Sequence, residues 1–287
     1  MLNNIIECNG EIYKLIAKIG NSYSSDVYKV TSKGNTFILK IPYNNQAYER
    51  EKIILKELEK QRIAAPQIIE EVVCTDKKGI IMSYLQGLNG EDVVFTKRKI
   101  GNLVKAINEF QNIELKRPEI PLYNFDIIAN TYNKNIELIS DYVSRELYLA
   151  IQKDSDMFFD LLKEQQYNRL IHRDLRLGNI IVDSEKIFLI DFEGCAMGNP
   201  IMDLVKIYYE IMFKDNNLGD FFLHEYLASN CMEKDLAMRV LKIYTILDKI
   251  NSIIWCRNRK RVGSVFFKQS IEYLERNMKD GTRGYLF

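Results

Sequence analysis

Apolar and polar residues alternate through much of the first part of the chain, as they do in β-strands. Three such segments fill residues 10–42, with turn-forming residues between them at 20–22 and 32–35. Two more follow at 68–73 and 79–82. Short alternating runs between turn signals are typical of antiparallel strands with one buried face. The pattern therefore predicts a five-stranded antiparallel sheet.

One helix is predicted between the third and fourth strands, over residues 46–60. Glu51 lies four residues after Ala47 and four before Leu55, so its carboxylate falls on the apolar face of this helix. An unpaired charge on a buried face is costly. We therefore expect a cation beside Glu51, and Lys40 at the end of the third strand is the candidate. The alternative is an exposed strand lysine and a glutamate that bonds to water.

From residue 97 onward the apolar spacing becomes helical. The predicted helices are one from 97 that ends before Pro118, then 126–152, 156–166, 200–213, 219–229, 234–258 and 265–278, with Asp154, Ser155 or Asp156 as a cap for the helix at 156–166. A short hairpin, with strands at 180–182 and 187–190, interrupts the helices. The fold class is therefore predicted as α+β, with strands first and helices after.

Composition indicates a soluble globular protein. The 287 residues are 47% hydrophobic and 28% charged, and the formal net charge of +1 gives no indication of a polyanionic partner. The sequence shows no run of about 18 apolar residues that would predict a membrane span, and no leader that would predict secretion. We therefore expect a cytoplasmic protein. The five cysteines are scattered without metal-ligand spacing and are expected to be reduced.

A basic segment near the C-terminus raises the question of nucleic acid. It contains Arg257, Arg259, Lys260 and Arg261 without interleaved aromatic residues. We interpret it as the solvated end of a helix, where cations are favoured by the helix dipole. The expected partners therefore include neither nucleic acid nor a membrane.

Candidate chemistry is concentrated in residues 170–191, around the predicted hairpin. Asp174 and Asn179 lie in a polar loop before the first hairpin strand, and Asp191 follows the second. A hairpin brings these positions to one end. Carboxylate and amide oxygens are ligands of Mg²⁺ and can accept protons, so we expect these three side chains to converge.

The spacing of these residues resembles a known catalytic segment. His172, Asp174 and Asn179, followed by Asp191-Phe192, are spaced as in the protein-kinase-like superfamily. The form Ile-Asp-Phe-Glu, with Asp203 shortly after it, is similar to the aminoglycoside phosphotransferase and choline kinase branch. Two differences are Arg173, where glycine is more common in small-molecule kinases, and Glu193, where protein kinases have glycine.

The resemblance implies a bilobal protein-kinase-like fold. Residues 1–85 would form an N-terminal nucleotide-binding lobe that ends in a hinge, and residues 86–287 a mostly helical catalytic and substrate-binding lobe. In the hinge, the Ser83 carbonyl and the Leu85 amide would contact the adenine. The turn after the first strand lacks the glycine-rich pattern, so its phosphate contacts would come from backbone amides and from the hydroxyls of Ser24 and Ser25; an ordinary hairpin turn is the alternative.

The same resemblance implies roles in binding nucleotide and metal. Lys40 would hold the nucleotide phosphates and would itself be positioned by Glu51. Asp191 and Asn179 would hold Mg²⁺.

Further roles would fall to the loop and its supports. Asp174 would accept the proton of the substrate hydroxyl, and Arg176 would neutralise charge on the transferring group. His172 would brace the loop by hydrogen bonding. Asp203 would brace the loop backbone, cap the following helix, or do both.

The implied function is ATP- and Mg²⁺-dependent transfer of the γ-phosphate to a hydroxyl of a small molecule, with GTP left open as donor. Only residues 194–199 separate the Asp-Phe-Glu motif from the next helix, too short for the peptide platform of a protein kinase. An aminoglycoside-type antibiotic, and hence antibiotic resistance, is the first acceptor class; choline or ethanolamine, which needs aromatic walls, is the second. A non-catalytic nucleotide-binding scaffold and a protein kinase are further alternatives. We expect a monomer or a homodimer.

Overall fold

The computed structural model describes residues 5–8, 10–19, 24–74, 76–165 and 167–279. The chain forms two compact units. The first unit comprises residues up to 121, 169–196 and 206–226, and the second comprises 122–168, 197–205 and the residues from 227 onward. The division at residues 85 and 86 that the sequence suggests stays a prediction.

Strands dominate the first part of the chain and helices the rest, as the sequence predicts. The strands are β1 Ile5–Cys8, β2 Glu11–Lys18, β3 Ser25–Ser32, β4 Asn35–Pro42, β5 Ile68–Cys74, β6 Lys77–Ser83, β7 Leu88–Asn89, β8 Leu122–Tyr123, β9 Arg169–Ile171, β10 Ile180–Asp183, β11 Lys186–Leu189 and β12 Ala196–Gly198. The helices are α1 Asn45–Lys60, α2 Lys97–Gln111, α3 Phe125–Ile139, α4 Arg145–Glu164, α5 Leu204–Lys214, α6 Asn216–Ser229, α7 Lys234–Asn258 and α8 Val265–Lys279. In the described ranges, no helix combines the length and apolar character needed to cross a bilayer.

An antiparallel sheet in the order β1-β2-β3-β4-β6-β5 forms the start of the first unit. Buried apolar side chains such as Val30, Leu39 and Ile81 make up its core. The predicted α+β class is confirmed, but the predicted count of five strands is one short. The additional strand, β1, spans four residues at the sheet edge, which is too short a run for alternation to reveal.

Helix α1 contacts three strands of this sheet, β4, β5 and β6. The side chain of Asn44 caps it by accepting a hydrogen bond from the Ala47 amide at 2.8 Å. Its buried face includes Ile54, Leu55 and Glu51. Packing of the apolar face therefore carries the Glu51 carboxylate inward, as the helical spacing predicts.

The hairpin β10–β11 lies in the first unit, and β7 pairs with β10 to make a three-stranded sheet. After β7 the chain turns at Gly90, where an added Cβ atom would lie 2.6 Å from the carbonyl oxygen of Leu177. A side chain there would collide with backbone, so only glycine permits this close approach. The turn at Gly90 therefore packs directly on the loop 172–179.

In the second unit the predicted helical region 126–152 divides in two. Helix α3 ends at Ile139 and α4 begins at Arg145, because the Ser144 hydroxyl accepts a bond from the Leu147 amide and starts a new helix. Helix α4 then continues to Glu164 and so includes most of the predicted helix 156–166. The predicted caps at Asp154, Ser155 and Asp156 are wrong, since all three residues lie inside α4.

The helix predicted over 200–213 is also divided. Residues Pro200–Asp203 form a 3₁₀ turn, which the Asn199 side chain caps by accepting from the Ile201 amide at 3.0 Å. Helix α5 follows from Leu204. The helices predicted at 219–229, 234–258 and 265–278 are confirmed as α6, α7 and α8.

Candidate functional site

A buried lysine surrounded by carboxylates lies in the first unit. Lys40, on β4, is 5% exposed, and Glu51 is 1% exposed. The Lys40 ammonium donates to Glu51 Oε2 at 2.9 Å and to Asp191 Oδ1 at 2.5 Å. Glu193 Oε2 lies 3.3 Å from the same nitrogen. The structure therefore brings Lys40 to Glu51, as the sequence predicts, and adds Asp191 and Glu193 to the pair.

The charges of this cluster are strongly coupled. Burial opposes the positive charge, yet the carboxylates of Glu51, Asp191 and Glu193 outweigh burial and raise the pKa of Lys40. Burial raises the pKa of Glu51 to about 7 against the attraction of Lys40. Burial also favours a higher pKa for Asp191, but the Lys40 ammonium outweighs burial and lowers the pKa of Asp191. Three carboxylates around one ammonium leave an excess of negative charge that a further cation would neutralise.

The donor set fits a divalent metal ion. Oxygen atoms of Glu51, Asp191 and Glu193 lie within 4.8 Å of one another. Carboxylate oxygens are the ligands that Mg²⁺ and Ca²⁺ prefer. Because the Glu51 side chain is only 2% exposed, Asp191 and Glu193 are the more accessible ligands, with side chains 32% and 12% exposed.

The backbone at Asp191 is set by a left-handed conformation, with φ 71° and ψ 65°. Aspartate tolerates this region better than most residues, and such conformations are common at functional sites. The segment that follows is tied to α1, because Arg50 Nε donates to the Glu193 carbonyl oxygen at 2.7 Å. Burial and the nearby Arg173 guanidinium lower the pKa of Arg50. Helix α1 and the 191–193 segment are thus joined by a second contact besides Lys40.

Asp174 lies in the loop before β10, where two side chains hold its carboxylate. Asn179 Nδ2 donates to Asp174 Oδ2 at 3.1 Å and to the Asp174 carbonyl at 2.8 Å. The Lys206 ammonium, on α5, lies 2.6 Å from Asp174 Oδ1. Because these bonds use the amide nitrogen of Asn179, its Oδ1 atom is the one suited to a metal.

Two hydrogen bonds connect this loop to the segment that carries Asp191. His172 is fully buried, and its Nε2 lies 3.0 Å from the Ile190 carbonyl oxygen. A carbonyl can only accept, so Nε2 is the donor. The Ile190 amide donates to the carbonyl oxygen of Asn179 at 3.1 Å. The residue before Asp191 is therefore fixed on both of its backbone polar groups.

Arg176 is held by acidic residues of the first unit. Its Nη2 lies 2.6 Å from Glu91 Oε1, and its Nε lies 3.7 Å from Glu210 Oε1. Burial opposes its charge, but Glu210, Glu91 and Asp174 outweigh burial and raise its pKa. Neutralisation of the transferring group by Arg176 stays a prediction.

The other predicted site residues lie as follows. The turn at Gly20–Tyr23 is outside the described residues; Ser24 is half-buried and Ser25 is 2% exposed. Ser83 ends β6, where its amide donates to the Gln67 carbonyl at 2.9 Å, and Leu85 follows in an irregular segment. Asp203, in the second unit, is 2% exposed.

Three residues of the site were not predicted from sequence as part of it. Glu193 could have been identified from its position two residues after Asp191, since both follow one strand. Lys206 and Glu210, on α5, carry no local signal, because charged residues on a helix are ordinarily solvent-facing.

Comparisons with known proteins identify the family of this chain. A family model described as "Phosphotransferase enzyme family" matches residues 16–243. The Protein LicA homolog of Mycoplasma capricolum subsp. capricolum is 21% identical over 239 residues, which cover 83% of this chain and 89% of that protein.

Two solved structures have the same fold. The GDP complex of aminoglycoside 2'-phosphotransferase-IIIa gives a TM-score of 0.68 at 16% identity, covering 93% of this chain and 94% of that one. The second structure is a thermostable mutant of aminoglycoside phosphotransferase APH(4)-Ia in a ternary complex with AMP-PNP and hygromycin B. It gives a TM-score of 0.71 at 10% identity, and the match again covers 93% of this chain and 94% of that one.

Proposed function

This chain belongs to the phosphotransferase enzyme family and is a small-molecule kinase, and from that premise we propose that it transfers the γ-phosphoryl group of ATP, with Mg²⁺, to a hydroxyl of an amino-containing small molecule. One observation carries the proposal. Lys40 is buried and bonded at once to Glu51 and Asp191, which lie 11 and 151 residues away in sequence. A protein has little structural reason to bury one cation among three carboxylates.

On the nucleotide side, the chain provides a fixed cation. The Lys40 ammonium has three N–H donors, and Glu51 holds it in place at 2.9 Å. The donors that face Asp191 and Glu193 would serve a phosphate oxygen when those two carboxylates hold a metal ion. Asp191, with Glu193 beside it, and the Oδ1 atom of Asn179 would hold Mg²⁺. When bound, the metal supplies charge neutralisation to the phosphate oxygens.

On the acceptor side, Asp174 receives the proton. The acceptor oxygen forms a bond to the γ-phosphorus while the bond from that phosphorus to the bridging oxygen of ADP breaks. The hydroxyl proton passes to the Asp174 carboxylate, and ADP leaves with the electron pair of the broken bond. The two carboxylate oxygens have further lone pairs beyond those that Lys206 and Asn179 occupy.

An amino-containing acceptor such as an aminoglycoside is the class that we propose. In its support, the APH(4)-Ia structure of the same fold holds hygromycin B together with AMP-PNP. A quaternary amine would require an open aromatic face. The single tryptophan, Trp255, carries the Arg259 and Arg261 guanidinium groups 4.8 and 5.8 Å from its ring centroids. That ring face is therefore poorly suited to a second cation, but the 17 tyrosines of the chain keep choline or ethanolamine as the second acceptor class.

Other parts of the nucleotide contact belong to the proposal as well. The Ser24 and Ser25 hydroxyls would contact phosphate, and the backbone of Ser83 and Leu85 would contact adenine. Residues 1–85 would then be the nucleotide-binding lobe and residues 86–287 the catalytic lobe, with His172 and Asp203 as supports. We expect the protein to act in the cytoplasm as a monomer or homodimer.

The test combines ligand screening with turnover. Aminoglycosides, amino alcohols, sugars and nucleosides are screened by thermal shift with AMP-PNP and Mg²⁺, because a bound ligand raises apparent stability. Ligands that raise the melting temperature are then assayed as acceptors with ATP and with GTP. Wild type should form phosphorylated product from an amino-containing ligand.

Two matched substitutions make the assay specific to the site. Asp174→Asn and Asp191→Asn should each lower turnover by about 100-fold or more. Asp156→Asn, on the exposed side of α4, should leave turnover within about twofold. Absence of nucleotide consumption by wild type with every acceptor, or undiminished consumption by Asp191→Asn, would refute the proposal.

A further inference from the structure

Helix α5 presents a charged stripe to the loop that carries Asp174. Lys206, Glu210 and Lys214 are spaced four residues apart and therefore share one helix face. Lys206 Nζ lies 2.6 Å from Asp174 Oδ1, Glu210 accepts from the Leu177 amide at 2.6 Å, and Lys214 donates to the Gly90 carbonyl at 3.3 Å. All three side chains thus end on the loop 172–179 or on the turn packed against it.

The position of Lys206 in α5 does not favour local helix stability. It is the third residue of α5, near the positive end of the helix dipole, where a cation is disfavoured. Its natural helical partner would be Glu210, four residues on. Glu210 is instead engaged by the Leu177 amide and by Arg176, and the Lys206 ammonium reaches Asp174.

The ion pair with Asp174 also contributes little to folding. The two side chains are 37% and 46% exposed, and pairs this exposed are worth about 0–1 kcal/mol. The pair does constrain geometry, because the last torsion of aspartate is broad and a single contact leaves the carboxylate free to rotate. With Lys206 at Oδ1 and Asn179 at Oδ2, both oxygens are held.

We propose that Lys206 is a positioning residue for phosphoryl transfer, which holds the Asp174 carboxylate in the orientation that accepts the proton of the acceptor hydroxyl. The inference rests on the proposed function, in which Asp174 is the proton acceptor. Lys206 acts through Asp174, so its removal should reduce the rate of the chemical step and leave nucleotide binding intact.

The kinetic test uses Lys206→Gln, Lys206→Arg and a matched control, Lys234→Gln, which removes an exposed lysine from the first turn of α7. Lys206→Gln should lower kcat by about 10- to 100-fold, since a small misplacement of a reacting group has that effect. KM for ATP should change less than about threefold, and Lys206→Arg should recover most of kcat. Lys234→Gln should match wild type.

The outcomes separate this inference from the proposed function. If wild type consumes ATP and Asp174→Asn does not, yet Lys206→Gln retains full kcat, the positioning role is wrong and the proposed function stands. Crystal structures of wild type and Lys206→Gln give a readout that needs no turnover. The Asp174 carboxylate should rotate away from its wild-type orientation in the variant, and an unchanged carboxylate would overturn the inference.

Discussion

His172 joins the loop 172–179 to the segment that follows β11: its Nε2 atom lies 3.0 Å from the carbonyl oxygen of Ile190, the residue before Asp191. The ring is fully buried and packs against Phe110 and Phe192, with centroid distances of 5.9 and 5.5 Å. The contact connects the loop that contains Asp174 to the segment that carries a proposed metal ligand. Through this contact the histidine supports the backbone next to Asp191.

His172→Leu should therefore lower both stability and turnover. The variant keeps the apolar bulk but removes the hydrogen bond to Ile190, which should reduce the free energy of unfolding by about 1–3 kcal/mol. Urea unfolding measures this change. His224→Leu, at an exposed position on α6, is the control and should stay within about 0.5 kcal/mol of wild type. Equal effects of the two substitutions would contradict the bracing role.

Lys40→Met should destabilise the protein more than Glu51→Gln does. Removal of the ammonium leaves the Glu51, Asp191 and Glu193 carboxylates without their shared cation. Breaking a buried pair in this way costs about 3–5 kcal/mol. Glu51→Gln removes one of three negative charges and should cost less. Denaturant unfolding of both variants tests the order.

Lys60→Met provides the control for Lys40→Met, because the side chain of Lys60 is 76% exposed in its pair with Glu57. We expect a change below about 0.5 kcal/mol there. A larger loss for Glu51→Gln than for Lys40→Met would show that the carboxylates do not repel one another as the geometry indicates.

Arg173 has a φ of 67°, which lies in the left-handed region that favours glycine. Side chains with a Cβ are strained there by about 1–2 kcal/mol. Arg173→Gly should therefore be more stable than Arg173→Ala by about 1 kcal/mol. At Lys105, in the middle of α2 and 75% exposed, the order should reverse by about 1 kcal/mol. Thermal unfolding of the four variants checks the sign, and the same order at both positions would contradict the strain.

Glu71 should make stability fall in acid. Its carboxylate accepts bonds from Lys56 at 2.8 Å and Tyr48 at 2.6 Å, which lower its pKa from 4.5 to about 2. Because the folded-state pKa is the lower one, the stabilisation is complete above pH 4.5 and is lost as pH falls toward about 2. The carboxylate is 39% exposed, so we expect only about 1 kcal/mol at neutral pH.

Urea unfolding of wild type and Glu71→Gln, from about pH 7 to about pH 3, measures the Glu71 contribution. The two proteins should differ at neutral pH and converge in acid. A difference that stays constant across this range would show that the charge of Glu71 is not its source.

The sequence determined the local features of this protein because they depend on neighbours along the chain. Alternation predicted five of the six strands of the sheet, and helical spacing placed Glu51 on the buried face of α1. The spacing of His172, Asp174 and Asn179 indicated a kinase without any knowledge of tertiary contacts. Local pattern failed where capping decided the outcome, as at Ser144, because a serine hydroxyl can also face solvent.

Only the tertiary structure decided which charges meet. Lys206 pairs with Asp174 across 32 residues, and Lys40 pairs with Asp191 across 151. Such contacts depend on how strands and helices pack, and no periodicity records them. Helical spacing predicts a pair between Lys206 and Glu210. In the folded chain each of them instead contacts the loop 172–179. The free energy of an ion pair depends on distance and burial in the folded chain, so its partners are chosen by the fold.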